Sequence, residues 1–208
     1  MKTGLIGLIA TISLLLSSIS FAAGAPSTKP TDTGMVTATA IFAGGCFWCI
    51  EADFEKLPGV RGAESGYTAG RIANPTYEQV SAGGTGHTEA IRVSYDPAKV
   101  SYPQLVDYFW RHIDPTVKDR QFCDVGTQYR SGIYWQNEAE RRIAVASRDA
   151  LLKSGKLQQI HTEIIAASAF YPAEEYHQDY YKKNPIRYAY YRRGCGRDAR
   201  VREIWGNK

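Results

Sequence analysis

Cysteine is scarce in this chain: four among 208 residues, at Cys46, Cys49, Cys123 and Cys195. None follows the N-terminal apolar run, which argues against a lipid-anchored form. Cys123 and Cys195 lack a second cysteine or histidine at ligand spacing, so no metal is expected. Charge of one sign is also lacking. Lysine and arginine number 25 against 21 acidic residues, a net +4, too mild an excess to argue for nucleic acid. After residue 35 there is no internal repeat and no low-complexity block. The one long apolar run, Leu5–Ile19, is too short and wrongly flanked for a membrane span. What remains fits one domain with a sizeable core.

That run follows Met1-Lys2 and precedes the small residues Ala22-Ala23-Gly24-Ala25. Residues 1–25 therefore read as a secretory signal peptide, cut after Ala25 or after Ala22 or Ala23. An uncleaved anchor is the alternative, because Lys2 is the only early positive charge. Residues 26–35 read as a flexible Pro/Gly/Thr linker, and 36–208 as the folded domain. Export to a periplasm or to the medium is the expectation. The basic excess gathers late, at Lys182, Lys183, Arg187, Arg192, Arg193, Arg197, Arg200 and Arg202, and reads as a solvated tail.

Alternation and turn residues predict strands over 36–43, 60–68, 88–95, 131–135 and 160–166. Helical spacing predicts helices over 47–57, 101–113, 137–153 and 173–182, with a short turn near 76–82. Ser101 and Pro103 open the second of these in the manner of a cap and first turn. Strands alternating with helices indicate one mixed α/β domain, followed by an irregular arginine-rich tail, with 184–208 as a mobile segment.

The richest stretch is Gly44-Gly45-Cys46-Phe47-Trp48-Cys49. Cys46 sits at the start of a predicted helix, where unpaired N–H groups and the helix dipole favour an anion. Such a site can bring a thiol's pKa from roughly 8.5 toward neutrality. A buried structural cysteine is the plainer alternative. A static Cys46–Cys49 bridge would close a tiny loop and stabilise little, so redox work suits this spacing as well as scaffolding does.

Four loop-borne clusters accompany it: Asn74-Pro75-Thr76-Tyr77, Gly86-His87-Thr88-Glu89-Ala90, Gly126-Thr127-Gln128-Tyr129-Arg130-Ser131 and Glu175-Tyr176-His177-Gln178-Asp179-Tyr180. Together with Gly-Cys-Phe-Trp-Cys, and in this order, they resemble the A-type peptide methionine sulfoxide reductases over roughly residues 38–196. The resemblance implies a single two-layer α/β domain, with a mixed sheet, flanking helices and a ferredoxin-like core. It implies thiol-dependent reduction of methionine-S-sulfoxide, free or in proteins, with no cofactor.

On that resemblance Cys46 is the nucleophile that attacks the sulfoxide sulfur. Glu89 is the acid that protonates its oxygen, which requires a carboxyl kept neutral near pH 7. Tyr77 and Tyr129 hydrogen-bond the oxygen, and Phe47 and Trp48 receive the methyl group. Asp124 is a polar residue of the pocket floor and His177 a rim contact. Attack leaves a sulfenic acid on Cys46. A second thiol must condense with it, and the family's C-terminal resolving cysteines favour Cys195. Cys49 is a second redox thiol candidate: a direct resolver, a relay or a packing residue. Cys123 reads as structural. With one C-terminal cysteine, no relay between two tail thiols can operate. The implied reductant is thioredoxin or an exported thioredoxin-like protein, and a monomer is expected. Two other readings remain at this point: a thioredoxin-like disulfide carrier built on Cys46 and Cys49, and a secreted module with two static bridges.

Overall fold

The computed structural model describes Met1 and residues 36–206. The expected signal peptide and linker lie, Met1 apart, outside the described residues. Strand β1 (Ala38–Gly44) leads into helix α1 (Phe47–Phe54), then β2 (Val60–Thr68), α2 (Tyr77–Ser81), β3 (Thr88–Tyr95) and α3 (Tyr102–Trp110). A small ladder of β4 (Arg120–Gln121) and β5 (Asp124–Val125) precedes a 3-10 turn at Thr127–Tyr129 and strand β6 (Ser131–Trp135). After these come α4 (Glu138–Lys153), β7 (Glu163–Ala166), β8 (Tyr171–Pro172), α5 (Tyr180–Lys183), α6 (Pro185–Gly194) and α7 (Arg197–Trp205).

Six strands form one mixed sheet in the order β7–β6–β1–β3–β2–β8. Only β6 and β7 run parallel. The central four strands, β6–β1–β3–β2, with α1 and α3 as the connections, make the expected ferredoxin-like unit. Strand β1 sits in the middle because its residues are small or apolar on both faces. Ala40 and Phe42 face a cluster that includes Ile50 and Phe54 of α1 and Leu105 and Phe109 of α3. Ile41 and Ala43 face the other side, with Ala90 and Tyr134. Phe42 stacks on Phe54 and on Phe109, each at 5.1 Å, so a strand and two helices meet at one aromatic side chain.

Local chemistry starts the helices. The Ser101 N–H donates to Gln104 Oε1 at 2.8 Å, and Pro103 stands in the first turn. Thr76 and Gln79 form a reciprocal capping box at the head of α2, satisfying two otherwise orphaned donors. That cap fixes where Tyr77 enters the molecule.

Three expectations change at the C-terminal end. The helix foreseen over 173–182 is confined to Tyr180–Lys183, because Asp179 adopts φ +53° and donates its N–H to the Glu51 carboxylate at 3.1 Å. The strand foreseen over 160–166 begins at Glu163. The irregular tail is instead two helices, α6 and α7, docked on the domain. Arg192 reaches Asp53 at 2.9 Å and Asp198 at 2.6 Å. Arg197 is 2% exposed and donates to the carbonyls of Gly44 and His112 at 3.0 and 2.9 Å. Arg200 binds Asp114 at 2.7 Å, and the Trp205 indole N–H donates to Ile113 O at 3.0 Å. The reading of a solvated basic tail fails for these arginines, since Asp53, Asp114 and the carbonyls of Gly44 and His112, which hold them, lie far away in sequence.

Candidate active site

The site begins where β1 runs into α1. Gly45 has φ +81°, and a Cβ on it would lie 2.5 Å from Gln121 Cβ, so only glycine fits this turn. The turn makes Cys46 the residue that opens α1. Its carbonyl accepts from the N–H groups of Cys49 and Ile50. Around the thiol is a cavity of about 80 Å³, lined by Cys46, Phe47, Trp48, Tyr77, Glu89, Asp124, Tyr129 and Tyr191. Seven of these eight are residues the sequence singled out, delivered by α1, α2, β3, β5 and the 3-10 turn. The eighth, Tyr191, was missed. Inside Tyr190-Tyr191-Arg192-Arg193 nothing local separates it from Tyr190, which is exposed.

Glu89 is the electrostatic centre of this cavity. It is 2% exposed, and burial, aided by the nearby Asp124 and Cys49, pushes its pKa up to about 8 against the pull of one backbone hydrogen bond. That bond comes from Phe47 N–H at 3.0 Å. At neutral pH Glu89 therefore carries a proton and can donate it.

The same bond corrects the expectation for Cys46. The first N–H of α1 serves the Glu89 carboxyl rather than the thiol. Cys46 is 7% exposed, and burial, with Cys49 and Glu89 adding to it, drives its pKa well above the usual thiol range. Cys49, also buried and also free, moves the opposite way: the neighbouring Cys46 thiol, then Arg197 and Arg192, favour its charge. In this pair the proton rests on Cys46.

Tyr77 and Tyr129 line the cavity with phenols whose pKa values burial raises, that of Tyr77 to about 12, so both stay neutral donors. The Tyr77 backbone N–H donates to Glu174 Oε1 at 2.8 Å, and Tyr67 Oη donates to Oε2 of the same carboxylate at 2.9 Å. Tyr129 follows Gln128, whose side chain donates to Ser81 O at 3.0 Å. His177 is no rim contact. It is 2% exposed, its Nδ1 accepts from the Trp48 indole at 3.0 Å, and its ring packs on Phe47 and Tyr77 at 4.9 and 4.4 Å. Its work is to aim Trp48, whose other face stacks on Tyr180 at 3.6 Å. Asp124 accepts from Tyr191 Oη at 2.7 Å, and burial raises its pKa.

Cys195 is not beside Cys46. It forms a disulfide with Cys123, which gives Cys123 a partner that the sequence did not assign. The two free thiols are Cys46 and Cys49, both buried. Cys123, Asp124 and Cys195 converge, but the two sulfurs are joined to each other and are not metal ligands.

A sequence model of the peptide methionine sulfoxide reductase family matches residues 38–208. The chain belongs to that family. Its relatives include a peptide methionine sulfoxide reductase MsrA 2 of Caulobacter vibrioides, 49% identical over 86% of this chain and 91% of that protein. Another, the MsrA of Ligilactobacillus salivarius, is 51% identical over 80% of this chain and 97% of its own length. Among solved structures, methionine sulfoxide reductase A of Corynebacterium diphtheriae matches with a TM-score of 0.65 at 38% identity, covering 72% of this chain and 76% of that one. Reduced Mxr1 of Saccharomyces cerevisiae matches at 0.68 with 32% identity, over 72% and 87%. The methionine sulfoxide reductase family thus accounts for the mixed sheet and its flanking helices. Within the family the chain is of the A type, a thiol-dependent peptide-methionine (S)-S-oxide reductase.

Proposed function

We propose that the cavity at the head of α1 reduces methionine-S-sulfoxide, free or within oxidised proteins, through these named groups. Cys46 Sγ attacks the sulfoxide sulfur while Glu89 gives its proton to the oxygen. Tyr77 and Tyr129 hold that oxygen as charge builds on it. The methyl group rests against Phe47 and Trp48, a sulfur–aromatic setting worth roughly 0.3–1.5 kcal/mol. The protonated oxygen then passes from the substrate sulfur to Cys46 Sγ as the transient S–S bond breaks, so that methionine leaves and Cys46 is left as a sulfenic acid. A protonated Glu89 in the same small cavity as a free thiol is the observation that carries this reading.

Resolution falls to Cys49 rather than to Cys195. Cys49 is free, lies in the first turn of α1 beside Cys46 and is the more acidic of the two thiols, whereas Cys195 is already bonded to Cys123. The Cys49 sulfur attacks the sulfenic sulfur, a Cys46–Cys49 disulfide forms, and the hydroxyl departs with a proton as water. A dithiol protein of the thioredoxin kind returns both thiols by exchange. The solved complex of Mxr1 with Trx2 shows a thioredoxin bound to a protein of this fold. A long-range bridge such as Cys123–Cys195 suits an oxidising compartment and supports the exported location read from residues 1–25; a monomer is the working form.

The test is a cysteine series on a chiral methyl sulfoxide, with products mapped by mass spectrometry. Cys46→Ser is expected to be inactive. Cys49→Ser should complete one turnover and then stall with thioredoxin as sole reductant, while Cys195→Ser keeps cycling. Stalling of Cys195→Ser with normal cycling of Cys49→Ser would return the resolving role to the tail.

A further inference from the structure

The free thiol pair leaves one step without a device. Cys46 must lose its proton to become a nucleophile, yet its position at the helix start does not acidify it, because Glu89 takes the first N–H of α1. Two groups of the cavity have no role in the reaction as derived so far, Tyr191 and Asp124. They are joined to each other and border the thiol. Tyr191 Oη donates to Asp124 Oδ2 at 2.7 Å, and the same hydroxyl lies beside the Cys46 thiol, near enough to act on its acidity. All three line one cavity.

We propose that Tyr191 is a further catalytic residue, the link through which the Cys46 proton passes to Asp124 as the thiol attacks. The inference rests on the reading of Cys46 as nucleophile. A phenol has one hydrogen and two lone pairs. With its hydrogen on Asp124, its oxygen faces the Cys46 S–H. As the sulfur gives up its proton to that oxygen, the phenolic proton moves on to the carboxylate. Cys46 becomes a thiolate, Asp124 a neutral acid, and Tyr191 is a neutral phenol before and after. No charge is created on Tyr191, which suits a hydroxyl that burial makes very hard to ionise. Asp124 is suited to receive the proton because burial has already raised its affinity for one. Glu89 takes no part in this transfer: it is protonated and serves the sulfoxide oxygen.

The Cys123–Cys195 bridge now has a positional role. Cys123 directly precedes Asp124, and Cys195 lies one helical turn beyond Tyr191, its N–H bonded to Tyr191 O at 2.8 Å. The disulfide therefore fastens the acceptor's neighbour to the donor's helix. Tyr191 is also held edge-on by Trp48, with ring centroids 5.9 Å apart. The C-terminal helix closes the site with a working group rather than with inert cover.

The experiment compares Tyr191→Phe with the parent and with Tyr190→Phe, an exposed neighbour on the same helix. The readouts are single-turnover sulfoxide reduction and the pH dependence of alkylation at Cys46, resolved from Cys49 by peptide sequencing in the mass spectrometer. Tyr191→Phe should slow the single turnover roughly 10- to 100-fold, near the low end for lost acid–base help, with KM little changed. Its Cys46 alkylation profile should move to higher pH, and Tyr190→Phe should match the parent in both. The double variant Cys123→Ser/Cys195→Ser should shift the profile the same way by less. An unchanged profile in a folded Tyr191→Phe protein overturns the proposal, as does a loss confined to KM. Because alkylation needs no substrate, it tests Tyr191 separately from the sulfoxide reaction, whose own failure would appear as absent turnover in the parent.

Discussion

The two cysteine pairs of this molecule are built to opposite plans. Cys46 and Cys49 are three residues apart, buried and unbridged at the head of one helix. Cys123 and Cys195 are 72 residues apart and joined. A bridge across the first pair would close a loop far shorter than the 15 residues that give roughly 3 kcal/mol, whereas one spanning the second gives about 4.4 kcal/mol in the chain-entropy account. The local pair gains little stability from oxidation and can cycle; the distant pair gains a good deal and can hold. Spacing alone, once pairing is known, separates a redox couple from a fastening.

The comparison breaks most easily at the carboxyl beside the local pair. Glu89→Gln should slow sulfoxide reduction by about 100- to 10,000-fold, the range for losing a general acid, while Cys46 stays open to alkylation. The sign of the pH effect follows from the raised value. Glu89 is protonated below its folded pKa of about 8 and loses its donor hydrogen above it. Turnover by the parent should fall as pH rises through 8, and in Glu89→Gln that fall should be absent. A parent rate that climbs steadily through pH 9 would remove Glu89 from the donor role.

The distant pair is sharpened by a stability measurement. Replacing both Cys123 and Cys195 with serine should cost about 2–4 kcal/mol in urea unfolding. Replacing Cys49 should cost less, since it removes a sulfur from the core but no crosslink. If the two costs come out alike, the bridge is not a fastening and the contrast between the pairs is lost.

How much of this was legible beforehand follows the range of the forces involved. Strands β2 and β3 could be read to the residue, 60–68 and 88–95, because alternation along a strand is a local signal. Cys46, Tyr77, Glu89 and Tyr129 could be read because each sits in a short run that resembles a known family. The tail could not. Arg192 and Arg197 look like solvated charges until Asp53 is brought beneath them, and that carboxylate is more than 130 positions away. The pairing of Cys123 with Cys195, and the arrival of Tyr191 over Cys46, depend on the same docking. The acidity of Cys46 was misjudged for a related reason: a helix start offers N–H groups, but which anion takes them is settled by a strand that lies 42 residues on.

A last and smaller test concerns Glu51, on the same helix as the local pair and playing no part in its chemistry. It is buried, accepts from Asp179 N–H at 3.1 Å and from Ser65 Oγ at 3.2 Å, and burial raises its pKa to about 7. An unfolded glutamate titrates near 4.3. Below that value both states are protonated and the favourable burial of the neutral acid is fully kept. As pH climbs toward and past 7 the folded protein must hold a buried charge, and stability is lost. Glu51→Gln removes the ionisation and leaves a group that can still bond Asp179 and Ser65. The variant should therefore gain on the parent between pH 5 and pH 8 by roughly 1–3 kcal/mol in urea midpoints, with sulfoxide turnover little altered. A variant that instead loses ground as pH rises would mean that the charged form of Glu51 is the one the fold prefers. The entry to α5 would then be held by an ion rather than by a neutral acid.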